Sequence, residues 1–114
     1  MNPLRFFKCL SDDTRLRMIL LIVSEGELCV GELTTALSEI QPKISRHLSQ
    51  LKKCGLLTDR RQGQWVFYGL NSELPDWCKQ VIQQTCDENQ DFLKENYKQL
   101  CELTNRPVRP GTCC

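Results

Sequence analysis

Histidine is nearly absent from this chain: His47 is the only one in 114 residues. That scarcity removes whole classes of chemistry. A thiol enzyme needs a base beside its nucleophile, and the one imidazole lies within a basic helical segment, so we read no enzyme and no catalytic residues. An apolar run of about 18 residues, enough to cross a bilayer, is missing, and so is a charged-then-apolar leader. The expected setting is cytoplasmic, with no membrane partner. Glycine and proline are missing between Pro75 and about Leu103, so that stretch carries no strong helix breaker.

Cysteine, by contrast, is plentiful, at positions 9, 29, 54, 78, 86, 101, 113 and 114. A secreted disulfide scaffold is one reading of eight cysteines, but these are scattered over helical patterns that can fold by ordinary burial, and no export signal accompanies them. We expect reduced thiols, some of them available to a soft ion. A chain of this length forms one domain, and a partner subunit would let it bury more surface.

Acid is scarce in one place. Of 15 basic and 14 acidic side chains, the segment Gln41 to Arg61 holds 6 and 1, namely Lys43, Arg46, Lys52, Lys53, Arg60 and Arg61 against Asp59. Pro42 suits the start of a helix there and Gly55 the left-handed residue that ends one. Ile44, Leu48 and Leu51 recur at i, i+4 and i+7 and face a core, which turns Lys43, Ser45, Arg46, His47 and Ser49 outward. His47 is read as a DNA contact or a partial core residue. Such a helix fits a DNA major groove.

The flanks agree. Val30, Leu33 and Leu37 mark a short helix, and Ser38 to Gln41 a tight connection, so the pair reads helix, turn, helix. Leu56 to Arg61 and Trp65 to Leu70 are strand-like runs joined through Gln62, Gly63 and Gln64, a hairpin that serves as a wing. Gln41, Lys43, Ser45, Arg46, His47 and Ser49 on the helix, with Arg60, Arg61 and Gln64 near the wing tip, are the candidate DNA contacts.

Before this unit, Asn2 and Pro3 open a first helix through Leu4, Phe7 and Leu10. Ser11 is the expected N-cap of a second, with Leu16, Ile19, Leu20 and Val23 as its apolar stripe and Gly26 at its end. After it, Trp77, Val81, Phe92, Leu93, Tyr97, Leu100 and Leu103 predict one helix of roughly 40 Å, the alternative being a break around Asp87 to Gln90. So long a helix cannot be covered by one small domain. It is expected to pack with the first helix against a second copy, with Phe7 and Leu93 near the shared surface. We therefore assign residues 1–104 to a DNA-binding and dimerisation domain and 105–114 to an irregular cysteine-containing tail.

QPKISRHLSQLKKCGLL followed by RRQGQWVFYGL resembles the recognition helix and wing of the ArsR family of winged-helix repressors. FFKCLSDDTRLRMILLI and GELCVGEL are similar to that family's first three helices, and the likeness runs from about Leu4 to about Leu74. The resemblance implies a mainly α winged helix-turn-helix fold with a small β-hairpin, a homodimer joined through its first and last helices, and double-stranded operator DNA as partner. It implies release from the operator by an arsenic(III) species such as arsenite or methylarsenite, bound by cysteine thiolates as inducer, with no catalytic cofactor.

The sequence departs from the family where three cysteines crowd the third helix in the pattern CVCxLC. Here only Cys29 remains, which reads as a semi-buried core residue and the next candidate after the tail. The resemblance allows the thiol site to move, so Cys113 and Cys114, adjacent and able to turn toward one soft atom, are the expected ligands, with Cys101 as third. Cys86 and Cys101 lie about 22 Å apart along a helix and cannot share an ion within one chain. Cys54 and Cys78 read as structural. Zinc-sensing relatives use histidine and carboxylates on the last helix, which the lone His47 argues against. An alternative signal is oxidation or persulfidation, closing Cys9 with Cys86 or Cys113 with Cys114.

Overall fold

The computed structural model describes residues 1–103, and the assigned tail with Cys113 and Cys114 lies outside them. Helix α1 (Pro3–Leu10) starts where the Asn2 side chain accepts the N–H groups of Leu4 and Arg5. Helix α2 (Asp13–Glu25) is capped by Asp12, not by Ser11: the Asp12 carboxylate accepts from the Arg15 N–H at 3.0 Å. That bond holds its carboxyl below the usual carboxylate range. Both residues are competent caps, and a charge at the positive helix end favours the aspartate.

Five consecutive α2 residues, Met18 to Ile22, are buried. A helix buried all round occupies a centre, and α2 touches α1 and the helices and sheet that follow. Gly26, at φ 91°, ends it.

A two-residue strand, β1 (Leu28–Cys29), leads directly into α3 (Val30–Leu37). Ser38 then turns left-handed at φ 53°, and the Glu39 N–H reaches back to the Thr34 carbonyl at 3.1 Å, a helix stop that usually takes glycine. Helix α4 (Gln41–Lys53) follows, with Pro42 in its first turn and Gly55 at φ 89° beyond its end. Strands β2 (Leu57–Gln62) and β3 (Trp65–Leu70) pair antiparallel from Leu57↔Leu70 to Gln62↔Trp65, so the turn is only Gly63 and Gln64. The positive φ of Gly63 matches the hairpin twist. β1 adds to β3 through Leu28↔Tyr68 and Cys29↔Phe67, making a three-stranded sheet where the hairpin alone was expected.

The last segment is not one helix. α5 (Asp76–Glu88) stops, a short 3-10 turn covers Gln90–Leu93, and α6 (Lys94–Cys101) continues. Side chains make the stop: Asn89 donates to the Thr85 carbonyl at 2.8 Å and Gln90 to the Cys86 carbonyl at 2.6 Å. These satisfy carbonyls that a helix end leaves unpaired. α6 then folds onto α3, where the Asn96 amide donates to the Ala36 carbonyl at 2.9 Å and accepts from Arg17 at 3.0 Å.

Leu93, expected at a subunit surface, is fully buried within its own chain. The inward stripe of α5 is Cys78, Ile82 and Cys86, one residue out of step with the expected Trp77 and Val81. Trp77 instead stays 36% exposed.

Candidate nucleic-acid interface and thiol groups

Helix α4 divides cleanly by face. Ile44, Leu48 and Leu51 are buried against the core, while Gln41, Arg46 and Ser49 are exposed and Lys43 and Ser45 half-exposed. Gln41, Ser45 and Ser49 form one row at i, i+4 and i+8 with Arg46 beside it. Lys43 is paired with Glu39 at 3.0 Å, and Lys52 with Asp59 at 2.8 Å, which holds the Lys52 ammonium above its ordinary pKa. Arg46 enters no ion pair among the described residues, so its charge is available to a polyanion.

His47 departs from the expected outward face. It is 6% exposed, its Nε2 lies 4.0 Å from Asp12 Oδ2, and burial lowers its pKa. Its position foretold this: it stands three residues after Ile44 and four before Leu51, inside the apolar stripe.

On the wing, Arg61 and Gln64 are exposed at the tip. Arg60 is drawn back toward the sheet. Its guanidinium grips both oxygens of Glu27, donates to Gln62 and lies 4.8 Å from the Phe67 ring centre. Of the two arginines, Arg61 is the one that enters no ion pair among the described residues.

The described cysteines fall into three groups. Cys29, Cys78 and Cys86 are buried. Cys29 precedes α3, where its N–H donates to the buried Glu32 carboxylate at 3.0 Å, and burial raises its thiol pKa, as it does that of Cys78. Cys86 points its thiol at the Leu20 carbonyl. These behave as small core residues. Cys9 and Cys54 are only partly buried and form a disulfide, which corrects both the all-reduced expectation and the pairing of Cys9 with Cys86. Cys54, read as merely structural, is the residue that closes α4. Cys101 sits exposed at the end of α6. Among the described residues no three His, Cys, Asp or Glu side chains cluster as a metal site.

Residues 12–59 match the family model described as bacterial regulatory protein, arsR family. The arsenic resistance transcriptional regulator ArsR2 of Pseudomonas putida is 54% identical over 113 residues, covering 99% of this chain and 98% of that protein. The chain belongs to the arsR family. The arsenical resistance operon repressor of Escherichia coli K12 is 48% identical over 110 residues, covering 93% of this arsR-family chain and 94% of its own length. Among solved structures, HlyU from Vibrio cholerae superposes with a TM-score of 0.67 at 30% identity, over 75% of this chain and 89% of that one.

As in a winged helix-turn-helix of the arsR family, α3 and α4 form the helix-turn-helix and β2–β3 the wing. Away from that face, Leu4 and Phe7 on α1 are 82% and 52% exposed, and the Phe7 ring lies 6.4 Å from Trp77 on α5. This is an apolar patch of three large side chains drawn from α1 and α5. No helix among the described residues is long and apolar enough to cross a membrane.

Proposed function

We propose that this chain is a homodimeric repressor that binds operator DNA through α4 and the β2–β3 wing and leaves it when thiolates capture a trivalent arsenical. The observation that carries the DNA reading is the outward row of Gln41, Ser45 and Ser49 with Arg46, which enters no ion pair among the described residues, presented by a helix whose other face is locked in the core. The near full-length identity to regulators named for arsenic resistance supports the inducer. Arsenic(III) is soft and three-coordinate, and sulfur is its preferred donor. Cys113 and Cys114, with Cys101 as third ligand, are the proposed capture site.

The apolar patch of Leu4, Phe7 and Trp77 is the proposed meeting surface of two copies. With Leu93 committed to the core, the dimer rests on α1 and α5. For release, the arsenical must favour the conformation that cannot bind DNA, with a coupling of about 1–3 kcal/mol.

The test is operator binding by fluorescence anisotropy during titration with arsenite and methylarsenite. Cys113→Ser or Cys114→Ser should abolish release and leave DNA binding intact, and Cys101→Ser should weaken the response to arsenite more than to methylarsenite. Release by peroxide with no response to either arsenical would favour the second reading, a thiol-oxidation switch, for which the Cys9–Cys54 bond speaks.

A further inference from the structure

Cys9 and Cys54 come from helices α1 and α4, 45 residues apart, and meet at the wall of a cavity of about 380 Å³. Arg5, Lys8, Arg15 and Lys53 line the same cavity with Gln50 and Leu51, and among the described residues no carboxylate does. Arg5 donates to the Lys53 carbonyl at 3.1 Å, and Arg15 to the Cys9 carbonyl at 2.8 Å and to Gln50 at 3.2 Å. The two cysteines are thus held on a basic seam between α1 and the end of α4.

We propose that reduced Cys9 and Cys54 form a two-thiolate site for a monosubstituted organic arsenical of oxidation state III. Three features select that ligand. Neighbouring cations favour thiolate, the form that bonds to a soft centre. The same four cations oppose a divalent metal ion but not a neutral arsenous acid. No third thiol, histidine or carboxylate joins the pair among the described residues, so the site supplies two bonds, which is what an arsenic atom already carrying one carbon requires.

The cavity has room for the organic group beside Leu51 and the aliphatic stems of the basic residues.

With methylarsenous acid the step balances without an oxidant. Two S–H protons leave with the two hydroxyl groups as two waters, two As–O bonds break, two As–S bonds form, and arsenic stays at oxidation state III. Because Cys54 closes α4, capture fastens the DNA-facing helix to α1. The inference rests on the arsenical reading above but names a pair of thiols separate from the tail.

The experiment uses the full-length chain with Cys101, Cys113 and Cys114 replaced by serine, reduced and freed of reductant. Methylarsenous acid is added, and intact mass and the alkylation of each cysteine are read. One equivalent should bind, with Cys9 and Cys54 both protected from alkylation. Adding Cys9→Ser or Cys54→Ser should lose that equivalent, with circular dichroism reporting that the fold persists. Retention of the equivalent in the Cys9→Ser, Cys54→Ser variant overturns the site. So does a protein that takes no arsenical while both thiols stay open to alkylation, or one whose pair closes only to a disulfide. If the pair binds methylarsenic but the unmutated protein never leaves operator DNA with any arsenical, the site stands and the arsenical-release reading falls.

Discussion

Helix α4 and the α5–α6 arm are built from similar amphipathic sequence but solve opposite problems. α4 presents a polar face to solvent and is bounded by residues whose backbones dictate a boundary, Pro42 at its start and Gly55 past its end. The α5–α6 arm has neither glycine nor proline at its bend. It turns because Asn89 and Gln90 hand their side-chain amides to carbonyls one turn back, and it returns to bury Leu93, Asn96 and Leu100 against its own chain. A surface meant for a partner needs a rigid, outward helix. An arm meant to complete a small core needs a place to fold back.

Breaking the arm should have the largest effect. Leu93 is fully enclosed, so Leu93→Ala is expected to lower stability by about 2–5 kcal/mol, read as a fall in the urea midpoint. Were the arm a straight helix in a dimer interface, the same change would weaken dimerisation, seen by sedimentation, and leave protomer stability largely intact.

On the other side of the comparison, Arg46→Ala should weaken operator binding by about 1–3 kcal/mol if the guanidinium reads a base edge, and otherwise lower the salt slope by about one unit. The urea midpoint should not move. Arg60→Ala is expected to cost less affinity than Arg61→Ala, since Arg60 is already engaged by Glu27. Equal losses in the two variants would show that DNA draws Arg60 out of that pair.

A smaller effect tests the bend itself. Replacing Asn89 and Gln90 together by alanine removes two side-chain bonds to helix carbonyls, each worth about 1 kcal/mol or less where solvent competes. Faster amide exchange across residues 86–96, with α4 unaffected, is the expected signature.

The contrast also explains what could be read from the chain. Boundaries set by backbone chemistry were legible: the α4 limits, Gly26 as the end of α2, the left-handed Gly55, the limits of the wing strands to within one residue and the Ile44, Leu48, Leu51 stripe. The second half of the core was not. Cys78, read as structural, and Cys86, weighed as a thiol, were both left out of the apolar pattern although they act as apolar side chains, which shifted the α5 face by one residue and left Trp77 on the wrong side. Strand β1 has only Leu28 and Cys29, too short for any alternation to show. The Arg60–Glu27 and Cys9–Cys54 pairings join residues 33 and 45 apart, and no local pattern announces them.

The finest test concerns His47, the one α4 side chain read as outward that turns inward. Burial lowers its pKa, against an opposing pull from Asp12 and with Arg15 and Arg46 lowering it further. A base with a folded pKa below its unfolded value of about 6.5 binds more protons when unfolded. Its contribution is therefore flat above about pH 6.5 and turns destabilising as pH falls toward the folded pKa. Asp12 acts in a separate, more acidic window, because its lowered pKa stabilises the fold until pH drops below the ordinary carboxylate value of about 3.9. Urea midpoints measured from pH 7.5 to pH 5 should therefore decline in the native protein and decline less in His47→Gln. A parallel decline in both would place His47 in solvent, beside Arg46 on the face proposed to meet DNA.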